Sequence, residues 1–187
     1  MNNYEIGHLK PEEIDSLLEL QRENLPINLD RQTIDSQGYV SFRYNPTIIQ
    51  RMMADEPQII ARADNQVVGY ALVSTIGATK TIEAAIPMLD MIAQLDYKGK
   101  PCREQKYYLV GQVCVKAGYR GIGILEAIYE GHRQVFSDRY DFAVTEVAVD
   151  NGRSLAAHHR IGFETIHVFF DDLNGKEWHI IAWDLAK

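Results

Sequence analysis

Cysteine is scarce in this sequence, and long apolar stretches are missing. Cys102 and Cys114 are the only two cysteines among 187 residues, too few for a disulfide scaffold and without the spacing of metal ligands. No uninterrupted apolar run approaches the roughly 18 residues that a membrane-spanning helix needs. The opening residues, MNNYEIGHLKPEE, lack the basic and apolar regions of a signal peptide. We therefore expect a cytoplasmic protein with no membrane partner and with Cys114 in its core.

Basic residues are fewer than acidic ones in this sequence. Lysine and arginine number 19 against 26 aspartates and glutamates, for a net charge of -7. There is no basic stripe with interleaved aromatic residues, so nucleic acid is not expected as a partner, and a cationic acceptor would suit the charge better. The six histidines form no HExxH pattern, and the neighbouring His158 and His159 would point about 100° apart on a helix. No metal site is expected.

We expect one globular domain that covers residues 1–187. The pattern of the first half predicts two helices and three strands. Hydrophobic residues make up 46 % and charged residues 24 % of the sequence, which is ordinary globular usage. YEIGHL predicts a strand, and the following amphipathic helix places Ile14, Leu17, Leu18 and Gln21 on one face. Pro26 ends that pattern. A polar loop, a second helix in NPTIIQRMMAD and a hairpin that turns at Asp64-Asn65 are expected next.

The second half predicts a strand, a glycine turn, a helix and another strand, after an insertion. The insertion, residues 76–106, has helical spacing in TIEAAIPMLDMIAQL despite Pro87. KYYLVGQVCVK and YDFAVTEVAV are strand-like and enclose a helix that runs to about Phe136. A helix ending at Gly162 follows, and the last two strands are expected to pair across a turn at Asn174-Gly175. These elements predict a mixed α/β sheet.

The segment GYRGIGILEAIYEGH places three glycines directly before a helix. The first amide groups of a helix have no intrahelical partner, so a glycine turn at that point can cradle a phosphate. A plain strand-to-helix turn without a ligand explains the cluster equally well. A dinucleotide fingerprint fails because Glu126 stands where the third glycine should be, and the P-loop pattern is absent.

Two motifs together resemble those of the GNAT superfamily, the acyl-CoA-dependent N-acyltransferases. VCVKAGYRGIGIL is similar to that family's pyrophosphate-binding segment, with Arg120 and Gly123 at signature positions and Leu125 in place of the final Gly or Ala. NGRSLAAHHRIGFE is similar to its later motif, with Asn151 and His158 at the matching positions and a Gly-Phe pair after them. The resemblance implies a mostly antiparallel central sheet flanked by helices, with splayed central strands.

The same resemblance implies that acetyl-CoA is the acyl donor. The strand QVCV would lie beside the pantetheine arm, and main-chain groups of Val113 and Val115 would bond to it like an added strand. Their side chains would otherwise be ordinary core. The cofactor-binding residues that the resemblance implies are Val113, Cys114, Val115, Arg120, Gly121, Ile122, Gly123, Ile124, Leu125, Glu126 and Asn151.

Two residues are candidates for catalysis. A neutral alkylamine costs about 4 to 5 kcal/mol to form at pH 7, so a general base is useful. Glu146 stands where some relatives in the superfamily carry a glutamate base, although a structural strand carboxylate is an equal alternative. His158 replaces a tyrosine that the family commonly places near the thiolate, and it could act as an acid or only pack in a helix.

The predicted function is N-acetyl transfer from acetyl-CoA directly to an amine, carried on a small molecule or a peptide. A non-catalytic acyl-CoA sensor or interaction module of the same fold is the alternative. The insertion at 76–106 has two interpretations. Its carboxylates Glu83, Asp90 and Asp96 could guide a cationic acceptor, or its apolar face could cover the sheet or a second copy in a homodimer.

Overall fold

Seven strands of the computed structural model form one mixed sheet, and the structure describes residues 4–172 and 175–186. The strands are β1 (Glu5–His8), β2 (Ile59–Ala63), β3 (Gln66–Ser74), β4 (Asp96–Tyr97), β5 (Lys100–Pro101), β6 (Tyr107–Val115), β7 (Phe142–Ala148), β8 (Glu164–Asp171) and β9 (Lys176–Asp184). The helices are α1 (Ile14–Glu23), α2 (Arg31–Gln37), α3 (Pro46–Asp55), α4 (Ile76–Thr79), α5 (Ile86–Gln94), α6 (Ile124–Phe136) and α7 (Gly152–Ile161). The strand order is β1-β2-β3-β6-β7-β9-β8, and β4 and β5 form a separate hairpin.

The centre of the sheet is split. All neighbouring strands run antiparallel except β6 and β7, which are parallel and pair only from Tyr107 to Leu109 with Phe142 to Val144. Beyond Leu109, β6 continues along β3 with a bulge at Gly111, because Leu72 and Val73 oppose Gln112 and Val110. The Thr145 hydroxyl donates to the Val110 carbonyl at 2.8 Å where the strands part. The predicted mixed sheet with splayed central strands is confirmed.

The core lies on both faces of this sheet. Alternating strand residues send Tyr108 and Ala143 toward α6, and Leu109 and Val144 toward the insertion. A third cluster holds α1 and α3 against β2 and β3 and includes the buried Cys114, as expected. Among the described residues, no helix has both the length and the apolar character needed to cross a membrane.

Most predicted elements are confirmed, and two differ. The supposed polar loop contains α2, whose Asp30 side chain accepts from the Thr33 amide at 2.7 Å, yet α2 buries no residue, so no apolar period marks it. The insertion's main helix is shorter than its apolar pattern, because Pro87 occupies the first turn of α5, where a missing N–H costs little. β8 and β9 pair as predicted, while Asn174 of the predicted turn lies outside the described residues.

Candidate active site

The glycine turn between β6 and α6 leaves helix amides open toward a cavity. Gly121 and Gly123 have φ angles of +77° and +88°, a region that glycine adopts without strain. The first intrahelical bond of α6 runs from the Ala127 amide to the Gly123 carbonyl at 3.0 Å. The preceding amides therefore have no intrahelical acceptor and add positive partial charge at this end.

Arg120 anchors this turn. Its guanidinium donates to the Val115 carbonyl at 2.8 Å, to Asn24 at 2.7 Å and to Gln37 at 3.2 Å. These acceptors belong to β6 and to the ends of α1 and α2, so Arg120 fixes the turn against three elements. Binding of a ligand by Arg120 stays a prediction, alongside this anchoring role.

A cavity of about 390 Å³ opens in front of the turn, and we call it the turn cavity. Its described lining includes nine of the residues implied to bind the cofactor: Val113, Cys114, Val115, Arg120, Gly121, Ile124, Leu125, Glu126 and Asn151. Ile122 and Gly123 belong to the turn but not to this described lining, and Ile122 is 48 % exposed.

Arg153 and Arg160 of α7 also line the turn cavity, and sequence reasoning missed them. They are seven positions apart, which places them on one face of a helix. That spacing, beside a glycine turn expected to hold phosphate, was the signal that could have found them. Together with the α6 amides they add positive charge to this cavity, although the exposed Asp35 and Glu126, which also line it, oppose that charge.

The part of β6 beyond Leu109 has an edge that β7 does not cover. Val113 and Val115 lie along this stretch and line the turn cavity, and their bonding to a pantetheine arm stays a prediction. The Val115 carbonyl already accepts from Arg120, whereas Cys114 is buried, and its burial raises the pKa of the thiol to about 12. Cys114 therefore contributes backbone here and no reactive thiolate.

The split between β6 and β7 holds a second cavity of about 70 Å³, the gap cavity. It shares Asn151 and His158 with the turn cavity, so the two spaces meet at these residues. The Asn151 amide donates to the Tyr39 carbonyl at 2.9 Å. Asn151 Oδ1 and His158 Nε2 are both buried and have no hydrogen-bond partner among the described residues, so two acceptors are available at this junction.

The contacts of His158 indicate which ring nitrogen carries the proton. Its Nδ1 lies 2.8 Å from the Ser154 carbonyl, which only accepts, so Nδ1 carries the proton. Burial lowers the pKa of the imidazole to about 4. His158 is therefore neutral at pH 7. A catalytic role for His158 stays a prediction, and in this arrangement its Nε2 is an acceptor.

Glu146 lies at the split itself. Burial raises the pKa of its carboxyl to about 7, with a smaller contribution from the negative charge of Asp171. The structure shows no hydrogen bond to this carboxyl from the described residues. A carboxylate with that pKa exchanges protons readily near neutrality, which suits a general base.

A third cavity of about 150 Å³ begins at Glu146 and extends to the insertion, and we call it the insertion cavity. It shares Ser41, Gly111, Thr145, Glu146 and Trp178 with the gap cavity. The Trp178 indole N–H is buried and has no described partner. Trp178 is a third residue that sequence reasoning missed, because nothing in the pattern of β9 sets it apart from a core aromatic.

The segment at residues 38–45 covers all three cavities. Tyr39 lines the turn and gap cavities, Ser41 lines the gap and insertion cavities, and Phe42 lines the insertion cavity. Gln112 donates to the Phe42 carbonyl at 2.7 Å, and the Tyr39 hydroxyl donates to Asp150 at 2.7 Å. The segment is thus fastened to both sides of the split.

Comparison with solved structures matches this arrangement over nearly the whole chain. The ribosomal-protein-S18-alanine N-acetyltransferase from Escherichia coli aligns with a TM-score of 0.61 at 11 % identity, covering 98 % of this chain and 95 % of that one. Arabidopsis thaliana NAA60 in complex with acetyl-CoA gives 0.64 at 15 % identity, with 97 % and 99 % covered. The chain has the GNAT fold.

Arabidopsis thaliana Naa50, in complex with the bisubstrate analogue CoA-Ac-MVNAL, shares the GNAT fold with this chain as well. Its TM-score is 0.60 at 14 % identity, with 97 % of this chain and 99 % of that chain covered. No protein-family model matches the chain, and no curated protein matches it significantly. Identities this low establish the GNAT fold and leave the activity to be argued from the site.

Proposed function

We propose that this protein is an acetyl-CoA-dependent N-acetyltransferase that moves an acetyl group directly to an amine. The observation that carries the proposal is the run of three adjoining cavities, which share lining residues, from the glycine turn, through the split between β6 and β7, to Glu146. Such a track lets a donor enter from one side of the sheet and an acceptor from the other.

The residues at the turn cavity fit the cofactor. The open α6 amides, Arg153 and Arg160 suit the diphosphate, since helix N-termini and guanidinium groups both bind phosphate well. The uncovered edge of β6 suits the pantetheine arm. Asn151 Oδ1 and His158 Nε2 would each accept from a donor group of that arm. Bound acetyl-CoA would supply the acyl group and a thiolate leaving group.

Glu146 is the residue we assign as general base. An ammonium acceptor must lose a proton before attack, and an apolar site lowers the pKa of an amine while it raises that of a carboxyl. Both changes narrow the difference in pKa between the acceptor and Glu146, whose pKa is already about 7. Proton transfer to Glu146, directly or through water, is therefore less costly than it would be in solution.

The test is acetyl-CoA turnover with a panel of primary amines, followed by release of the CoA thiol. We expect amine-dependent release by the wild-type protein and thermal stabilisation by CoA, about 2.7 kcal/mol at 100 times the dissociation constant. Leu125→Glu, which places a second carboxylate in the first turn of α6, should reduce that stabilisation. This variant is preferable to a substitution at Gly123, whose positive φ would strain any side chain.

The alternative, an acyl-CoA sensor or interaction module, makes a different prediction in the same experiment. Such a protein would be stabilised by CoA but would release no thiol with any amine. A wild-type protein that CoA does not stabilise at millimolar concentration would contradict both functions.

A further inference from the structure

The insertion cavity is a small space with a mostly apolar wall. The insertion contributes Ile82, Ala84, Ala85 and Met88, and the covering segment contributes Phe42. The volume of about 150 Å³ matches that of an engineered protein cavity known to bind benzene. A group of about benzene size therefore fits the cavity without rearrangement.

Glu146 is the one charged side chain in the described lining of this cavity, and the other polar side chains there, Ser41 and Tyr44 among them, are neutral. The Ser74 and Thr79 hydroxyls are 2.7 Å apart and bond to one another, and the Thr145 hydroxyl bonds to the Val110 carbonyl. Glu146 is the one carboxylate in the described lining, and the buried Trp178 indole N–H beside it has no described partner. An indole N–H accepts nothing from an ammonium, so this group provides no counter-charge for one.

The acidic residues of the insertion do not change this balance. Glu83, Asp90 and Asp96 are all exposed and are outside the described lining of the cavity. Among the apolar residues of the insertion, Leu89 and Ile92 are buried in the core, whereas Ile82 and Met88 are partly buried, pack against core clusters and also line the cavity. The insertion thus covers the sheet and lines the cavity with apolar side chains, and its three carboxylates are not part of the described lining.

We propose that the insertion cavity selects a primary monoamine whose amino group reaches Glu146 and whose apolar group, of about benzene size, fills the space against Ala85 and Met88. This inference rests on the proposed function and narrows its acceptor class. A diamine of similar length would bury its second ammonium without a counter-charge, which is strongly unfavourable. The same chemistry occurs in free arylalkylamines and in peptides with an apolar amino-terminal residue.

The experiment compares kcat/KM for matched acceptors. Benzylamine should exceed both ethylamine and 1,4-diaminobutane by at least about tenfold. A second arm uses short peptides with amino-terminal Phe, Leu, Gly or Asp. Higher kcat/KM for the Phe and Leu peptides than for benzylamine identifies the peptide source, and the reverse order identifies a free amine. A diamine preferred over benzylamine would overturn the inference.

Substitutions in the wall provide an independent test. Ala85→Leu should lower kcat/KM for benzylamine at least about tenfold and spare ethylamine, whereas Ala54→Leu, the same change on the exposed side of α3, should alter neither.

Met88→Glu adds a second carboxylate and should raise kcat/KM for the diamine relative to benzylamine. Combined neutralisation of Glu83, Asp90 and Asp96 should leave the acceptor KM unchanged. A wall substitution that affects all acceptors equally would contradict the inference.

Failure of the proposed function is separable from failure of this inference. If the protein binds acetyl-CoA but releases thiol with no amine, the transferase proposal fails. Calorimetric titration of the CoA complex with benzylamine and with 1,4-diaminobutane then still decides whether the cavity selects monoamines. Equal affinity for the two would overturn the inference without reference to turnover.

Discussion

Glu146 has opposite consequences for stability and for activity. In the unfolded chain its carboxyl titrates near 4.5, and in the folded protein near 7. Between these values the folded state holds a proton that the unfolded state has released, so the free energy of unfolding falls as the pH rises. Above pH 7 the full penalty, about 3 kcal/mol at most, destabilises the fold.

Glu146→Gln should therefore slow acetyl transfer and raise the melting temperature at pH 8. The gain in stability should disappear near pH 4, where the wild-type carboxyl is protonated in both states. Thermal denaturation of both proteins across this range is the measurement. A melting temperature that is lower than that of the wild type at pH 8 would show that the carboxylate is held by a stabilising interaction instead.

His158 should influence rate without shaping the pH profile. Because its pKa is about 4, it stays neutral across the range in which Glu146 titrates. We expect kcat/KM for wild type to rise with a midpoint near pH 7. His158→Ala should lower kcat/KM and keep that midpoint, whereas Glu146→Gln should remove it. A midpoint that moves only in His158→Ala would return the acid role to His158.

The individual site residues show what a sequence can and cannot reveal. Asn151, His158 and the glycine turn were found because their spacing along the chain is itself the signal. Trp178 reaches the gap through the pairing of β9 with β7, opposite Ala148 and about 30 residues away along the chain. Such a meeting depends on the register of two strands, which local patterns do not specify.

At the level of the element, α6 begins with a conflict of charge. Glu126 in its first turn favours the helix dipole, yet it lines the cavity proposed for a diphosphate. Glu126→Gln should bind CoA about two- to fivefold more tightly, more so at low salt, and should lose about 0.3 to 1 kcal/mol of stability. Isothermal titration at two salt concentrations tests this.

Glu130→Gln is the matched control for that change. It removes the same charge from an exposed position one turn further along α6, outside the described lining of the turn cavity. Equal CoA affinities for the two variants would show that Glu126 does not face the diphosphate.

The sequence pattern predicts the helices of this protein that bury an apolar face and does not predict a helix that buries none. α1 and α6 bury one face, and their apolar spacing marks them. α2 has an Asp30 cap and no buried residue, so its sequence has no apolar periodicity and is typical of a loop. The role of the insertion was open for a related reason, because apolar spacing does not distinguish residues that pack on a sheet from those that wall a cavity.

At the scale of the whole molecule, a ligand in the track would touch both halves of the sheet. The three cavities draw residues from β6 on one side and from β7, α7 and β9 on the other. We expect CoA to slow amide hydrogen exchange in β6 beyond Leu109 and also in β7 beyond Val144, while β1 and β2 change little. Mass spectrometry of peptides from these strands measures the effect. Protection confined to β6 would place the ligand on the turn side alone.

The three residue pairs that join β6 to β7 also affect the order in which the sheet can form during synthesis. Every antiparallel ladder of the sheet closes within one portion of the chain, either residues 5–115 or residues 142–184. During synthesis the first portion can therefore form its strands before the second has left the ribosome. At that stage the chain already carries the insertion and the uncovered edge of β6, but not yet Glu146, Asn151 or Trp178. Only the finished chain brings these residues to the β6 edge and the insertion, so a truncated product would hold an incomplete site.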